Sequence, residues 1–175
     1  MSTIVENGEG PQVRDTRTEN LPTIAAIYAD YVDNTTVTFA ETAPTLADWQ
    51  ERLTDTTARG LPFLTAEDHG EVVGMAYCTP WKTKTAYRYT AESTIYLSPA
   101  AAGRGLGTTL LTTLLDRCTT AGIREVIAVI ADNGNKASER LHERCGFTQA
   151  GRLTGVGVKH GKTLDTVLLQ RSLPA

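Results

Sequence analysis

Residues 93–122, STIYLSPAAAGRGLGTTLLTTLLDRCTTAG, leave this chain few folds to choose from. The apolar segment Ser93–Leu97 reads as a short strand, and Pro99 stops it. Glycines at 103, 105 and 107 follow. A helix is then expected over 108–121, with Leu110, Leu111, Leu114, Leu115 and Cys118 as its apolar stripe and Gly122 as its stop. A strand that enters a helix through a Gly-rich turn aims free backbone N–H groups and the positive end of the helix dipole at one spot, which makes an anion cradle. The bland reading of the same glycines is a bend that needs positive φ. Two features favour the cradle: the strand lies immediately upstream, and the helix carries no acidic residue in its first two turns to compete with a bound anion.

Which anion fits depends on spacing. The phosphate loop of nucleoside-triphosphate enzymes needs GxxxxGK[ST], and that string is absent. The dinucleotide fingerprint GxGxxG fails at Thr108, and no acidic residue closes the next strand, because Val126–Ile130 runs into Ala131.

The elements around the turn alternate. Gln12–Thr16 reads as an edge strand. Thr16 and Glu19 have capping-box spacing ahead of a helix marked by Leu21, Ile24, Ile27, Tyr28, Tyr31 and Val32. Thr45 and Asp48 repeat that spacing ahead of a second helix, with Leu46, Trp49 and Leu53, that ends near Arg59-Gly60. Between them lies a Thr-rich loop, Asn34–Pro44, with one aromatic, Phe39. Phe63–Glu67 and Glu71–Thr79 form a hairpin about Asp68-His69-Gly70, and Thr83–Thr90 is a polar, aromatic loop. Val126–Ile130 is a continuous apolar run, the pattern of a strand buried on both faces. Lys136–Arg144 is a short helix stopped by Gly146, and Phe147–Leu153 and Thr163–Leu169 are closing strands around the turn at 159–162. These elements predict an α/β (α+β) fold: a mixed sheet with helices on both faces.

No repeat or linker divides the chain, so one domain over 12–173 is expected behind a flexible polar lead, 1–11. The net charge is −3, which gives no basic field for nucleic acid or an acidic membrane. No apolar run approaches the roughly 20 residues that span a bilayer. The first residues lack a basic and then apolar leader pattern, so no secretory signal is expected. Cys78, Cys118 and Cys145 are odd in number and fit no metal spacing, which favours a reduced, cytoplasmic protein without a metal.

Further strings give the turn a context. R/Q-x-x-G-x-G/A, between a strand and a helix, is the pyrophosphate loop of the GNAT superfamily of N-acetyltransferases, and Gly105 and Gly107 fill its last positions. Residues 135–147, NKASERLHERCGF, resemble the superfamily's NPxASxxLxxxxGF string. PWKTKTAYRYTAESTI at 80–95, GVGVKHGKTLDTVLLQ at 155–170 and FAETAPTLADW at 39–49 resemble the phosphinothricin acetyltransferase family, which is itself similar to the methionine sulfoximine and sulfone acetyltransferases. The likeness spans about residues 12–173. It implies a GNAT fold, a mostly antiparallel central sheet splayed at the CoA site. It implies acetyl-CoA as acetyl donor, direct transfer to the free amine of a small amino-acid-like acceptor, and a homodimer.

The resemblance also distributes roles. Main-chain contacts to the cofactor fall to Ile95, Tyr96 and Leu97 and to the loop Gly103, Arg104, Gly105, Leu106, Gly107 and Thr108, with Asn135 either capping a helix or touching the ligand. Glu92, just before the cofactor strand, is the candidate base. A free Glu, with a pKa of about 4.3, matches an ammonium poorly until burial raises it. His142 either protonates the leaving thiolate, hydrogen-bonds it, or is a satisfied structural histidine. Phe39, Lys82, Lys84, Tyr87, Arg88 and Tyr89 are acceptor-site candidates, with lysines suited to carboxylate, phosphinate or sulfone oxygens. His160 either reaches the substrate end or simply makes a turn. The chain departs from the family at Ala102, where Arg or Gln is usual, at Lys84, where Arg is frequent, and in a longer loop at 131–135. Two alternatives remain: a non-catalytic acyl-CoA sensor, and an acetyltransferase for another amine.

Overall fold

The segment around the glycines folds as a strand, a bend and a helix: β4 (Thr90–Leu97), a 3-10 turn at Pro99–Ala101, and α3 (Leu106–Thr120). The computed structural model describes residues 10–174, so most of the expected N-terminal lead lies outside the described residues. Ahead of β4 come β1 (Gln12–Asp15), α1 (Leu21–Asn34), α2 (Leu46–Ala58), β2 (Phe63–Asp68) and β3 (Glu71–Pro80). Behind α3 come β5 (Glu125–Asp132), α4 (Ala137–Arg144), β6 (Thr148–Lys159) and β7 (Lys162–Ser172).

The strands form one seven-stranded sheet in the order β1-β2-β3-β4-β5-β7-β6. Every neighbouring pair is antiparallel except β4–β5, which is parallel. That parallel pairing is short. It joins Thr90–Ser93 to Glu125–Ala128 and then stops, although both strands continue. Beyond it β4 stays on β3 as far as Leu97 opposite Gly74, and β5 stays on β7 as far as Asp132 opposite Asp165. Each strand keeps its outer partner while the inner edges separate, so the sheet splits at its centre.

Alternation along the strands sends side chains to two cores. On one face Met75, Tyr77 and Phe63 pack with Leu21 and Ile24 of α1 and with Trp49 and Leu53 of α2. On the other, Ala76, Cys78, Val126, Ala128 and Ile130 pack against Leu110, Leu111, Leu114 and Cys118 of α3. The leucine stripe of α3 is thus the larger core's spine, and helices cover both faces as expected.

Local signals behave unevenly. The Thr45–Asp48 box forms: Asp48 N–H donates to Thr45 Oγ1 at 3.2 Å, and Thr45 N–H donates to Asp48 Oδ2 at 2.7 Å. The expected Thr16–Glu19 box does not. Thr16 Oγ1 shares a hydrogen bond with Thr65 Oγ1 of β2, and Arg17 N–H donates to Asn20 Oδ1 instead, because the chain runs through a 3-10 turn before α1. Val126–Ile130 is not buried on both faces. Val129 is 41% exposed, since its side chain stands at the split where no strand or helix covers it. The β4 strand and the closing pair are longer than their apolar runs, because edge and hairpin pairing extends them through polar residues.

Candidate active site

The split opens into a cavity of about 920 Å3 that passes from the α3–α4 face of the sheet to the α1–α2 face. At the first end stands the start of α3. Gly105 occupies the N-cap position with φ +78°. The first amide there to find a backbone acceptor is that of Thr109, on Gly105 O at 3.2 Å, so among the described residues those of Leu106, Gly107 and Thr108 have no partner at the positive end of the helix. A Cβ added to Gly105 meets nothing within 4 Å, and the residue borders the cavity. Gly107 is small for a different reason: a Cβ would lie 3.2 Å from Leu97 Cδ1 and 3.3 Å from Leu141 Cδ2, where α3 touches β4 and α4. Ala102, Gly103 and Thr108 also face the cavity.

Two members of the loop do not contribute side chains there. Arg104 turns away and pairs with Asp68 at 2.7 Å. Leu106 is buried in the larger core. Either can reach a ligand only through its backbone amide.

The floor of the cavity is the free edge of β4. Ser98 N–H donates to Val73 O, and Trp81 N–H donates to Thr90 O. Strand alternation therefore turns the backbone groups of Ile95 and Leu97 toward the split and those of Tyr96 toward β3. Tyr96 lines the cavity by its ring, while its main chain is committed to the sheet, against the expectation that all three residues offer main-chain contacts. The Tyr31 hydroxyl, from α1, donates to Leu97 O at 2.6 Å, leaving the Leu97 N–H at the opening.

On the α1–α2 face, Glu92 borders the cavity half-buried. Among the described residues its carboxylate has no hydrogen bond or ion pair. Burial pushes its pKa up, and the nearby Lys82 ammonium pulls more weakly the other way. The same cavity is lined by Tyr28, Tyr31 and Tyr96, with ring centroids 5.0 Å apart for Tyr28–Tyr96 and 5.1 Å for Tyr31–Tyr96. The loop after α1 supplies Val37, Thr38 and Phe39 as a wall.

On the other face, α4 brings His142 to the cavity, only 2% exposed. Its Nδ1 lies 2.8 Å from Ser138 O, a carbonyl that can only accept, so Nδ1 carries the proton. Burial holds the imidazole pKa below its ordinary value, against the opposing carbonyl contact. The resident form is neutral, with a lone pair on Nε2. Lys136 holds the N-cap position of this helix; Asn135, one residue earlier, makes a turn in which its Oδ1 accepts from Ala137 N–H at 2.9 Å, and it also borders the cavity.

The lysine-rich loop is placed differently from expectation. Lys82 Nζ sits over the Trp81 ring, 4.5 Å from its centroid, and reaches Glu92 only through its field. Lys84 and Tyr87 are exposed and do not border the cavity. Tyr89 is held between Arg88 and Arg124, 4.5 and 4.3 Å from its ring. His160 lies in the β6–β7 turn with φ +47°, beside a separate polar cleft with Asp33 and Lys162. Of the acceptor-site candidates, Phe39 alone borders the main cavity.

Sequence reasoning passed over Arg140 and Arg144. Both lie on the cavity side of α4, and among the described residues neither has an ion-pair partner. Like charges four apart on a helix repel unless an anion sits between them, and that spacing was legible in ASERLHER. Among the described residues no group of three His, Cys, Asp or Glu side chains could hold a metal.

A central sheet split beside a glycine-capped helix agrees with the sequence comparison: the profile of the acetyltransferase (GNAT) family matches residues 24–147. The chain belongs to the GNAT family. Among its GNAT relatives, a phosphinothricin N-acetyltransferase of Alcaligenes faecalis is 45% identical over 163 residues, 93% of this chain and 83% of that one. An L-methionine sulfoximine/L-methionine sulfone acetyltransferase of Pseudomonas aeruginosa is 38% identical over 162 residues, 92% of this chain and 94% of that one. The crystal structure of a GNAT-superfamily phosphinothricin acetyltransferase from Sinorhizobium meliloti, in complex with acetyl-CoA, superimposes with a TM-score of 0.89 at 39% identity, covering 94% of this chain and 89% of that one. The GNAT fold expected from the sequence is the fold observed.

Proposed function

We propose that this chain transfers the acetyl group of acetyl-CoA to the free amine of a small amino-acid-like acceptor of the phosphinothricin or methionine sulfoximine/sulfone type. The observation that carries the reading is the passage through the split sheet. An anion cradle opens on one face, an aromatic pocket with an unpaired carboxylate opens on the other, and an unpaired strand edge runs between them. The names of the two relatives and of the structural neighbour support the donor and the acceptor class.

The residues divide the work. The amides of Gly103–Thr108 and the α3 dipole take the pyrophosphate, so the loss of an Arg or Gln at Ala102 costs a side-chain contact and leaves the backbone cradle. The amide-rich pantetheine arm pairs with Ile95 and Leu97 along the free edge, as an added strand does. That seats the thioester at the split, where the Leu97 N–H faces its carbonyl and stabilises the oxyanion. Glu92 takes a proton from the acceptor ammonium, directly or through one water, and its raised pKa narrows the gap between the two groups. The amine nitrogen then attacks the thioester carbon, a C–N bond forms, and the C–S bond breaks. His142 begins as a proton acceptor at Nε2 and can return a proton to the thiolate only after taking one. Lys82, whose field reaches Glu92, can draw anionic acceptor oxygens toward the pocket without lining it.

Exposed Leu153, Val156 and Val158 on β6, the strand at the sheet's edge, support a homodimer. Sedimentation would then show a dimer that Val158→Asp weakens. Three free thiols, Cys78, Cys118 and Cys145, are consistent with a reducing compartment.

The deciding experiment incubates the pure protein with acetyl-CoA and a panel of amines, including phosphinothricin, methionine sulfoximine and methionine sulfone, and follows free thiol. Amine-dependent thiol release is expected for this class. Tight acetyl-CoA binding with no release for any amine would leave the sensor reading in its place.

A further inference from the structure

Lys159 ends β6, and its side chain is out of water at 3% residue exposure. Among the described residues its ammonium has one hydrogen-bond acceptor, Thr38 O at 2.9 Å, and no carboxylate within ion-pair distance. An ammonium has three donors, so this one is sparsely served. Asp33 and Glu41 favour its charge from farther off, and burial opposes it. Exchanging a buried charge of this kind for an apolar side chain of similar volume is often neutral or stabilising, so the contact is a poor source of stability. What it fixes is a position.

Thr38 belongs to the loop that walls the acceptor end of the cavity, together with Val37 and Phe39. Its hydroxyl meets the Tyr28 hydroxyl at 2.8 Å, which ties the loop to α1. Gly157 lies two residues before Lys159, on the same face of β6, and receives the Phe39 ring. A Cβ at Gly157 would fall 2.7 Å from Phe39 Cζ. The strand therefore grips the loop at two consecutive residues, the carbonyl of Thr38 by an ammonium and the ring of Phe39 by a missing side chain. Neither Lys159 nor Gly157 borders the cavity.

We infer that Lys159 is a positioning residue: through the Thr38 carbonyl it sets the wall of the acceptor pocket, so that acceptor recognition depends on a strand the acceptor does not touch. The inference rests on the acetyl-transfer reading for its kinetic form, and the geometry of the loop tests it independently.

Lys159→Met keeps the length and burial of the side chain and deletes the donor. The acceptor KM is expected to rise about tenfold or more, as displacement of a substrate wall does, while kcat and the acetyl-CoA KM stay within about twofold. Amide hydrogen exchange is expected to quicken over 35–42 and to hold in α3 and β5. Gly157→Ala, which displaces the ring and leaves the ammonium, is expected to give the same kinetic split, and Lys159→Leu, which also lacks the donor, carries the test of the ammonium if Lys159→Met does not fold. An unchanged acceptor KM in the folded variant, a parallel loss of acetyl-CoA binding, or unchanged exchange in the loop would each overturn the inference. A parent protein that releases no thiol with any amine would instead sink the acetyl-transfer reading, and hydrogen exchange would still judge the contact.

Discussion

Gly105 and Gly122 offer a matched test of the phosphate cradle. Both are glycines with nearly the same positive φ, +78° and +81°, and a Cβ at either meets nothing within 4 Å. Gly105 borders the cavity at the start of α3; Gly122 follows the end of the same helix and does not. Alanine at either position pays for the left-handed backbone and for nothing else. That costs about 1–2 kcal/mol, which lowers Tm by about 2–8 °C in a chain of this size. Domains of this kind are stable by roughly 5–15 kcal/mol, so both variants remain folded. The two part company in acetyl-CoA binding. At Gly105 the methyl group occupies the space from which a phosphate approaches the amides of Leu106 and Gly107. Losing one charge-assisted hydrogen bond of about 1.5–3 kcal/mol raises Kd by about tenfold to a hundredfold. Gly122→Ala leaves Kd unchanged. Differential scanning fluorimetry and isothermal titration calorimetry on the three proteins measure both quantities. If Gly105→Ala loses Tm as Gly122→Ala does and still binds acetyl-CoA with the parent Kd, the glycine turn is only a turn.

Three other outcomes follow from the site and its surroundings. Glu92→Gln should lower kcat by about 10²–10⁴-fold with little change in acetyl-CoA Kd. The raised pKa of Glu92 also places the acidic limb of kcat/KM above the ordinary carboxylate range, activity falling as pH falls through it, and the Gln variant should lack that limb. Arg140→Gln together with Arg144→Gln should raise the acetyl-CoA KM about tenfold at low salt, with the gap closing at high ionic strength as screening removes what the charges supply. The carboxylate of Asp132, held down to about 2 by Arg152, the Gly134 N–H and Lys136, stabilises the fold in its charged form. A depressed pKa gives stability that is complete above the unfolded value, about 3.9, and lost as pH falls through the folded one. The Tm gap between the parent and Asp132→Asn should therefore be full at neutral pH and close between about pH 4 and pH 2.

The hairpin from β2 to β3 was legible because its turn chemistry is local. His69 and Gly70 take the left-handed conformations that such a turn needs, and no distant residue is consulted. The Thr45–Asp48 box is local for the same reason. The box at Thr16 failed where a distant partner, Thr65, claimed the same hydroxyl. Glu92 was a candidate through the family resemblance, placed just before the strand; the structure puts it inside β4, and its half-burial without a partner among the described residues depends on packing that no local string carries.

By itself the sequence determined the strand–glycine turn–helix segment, the two faces of helices and the family, because these follow from short-range backbone preferences and from strings a few residues long. Only the tertiary structure decided that β4 and β5 part after Ser93 and Ala128, that Lys84 and Tyr87 lie off the cavity while Arg140 and Arg144 border it, and that Lys159 reaches a carbonyl 121 residues earlier. Those facts come from strands held by their outer neighbours and from side chains packed across the sheet. No local pattern carries that information, because the free energy that fixes it belongs to pairs of residues far apart in the chain.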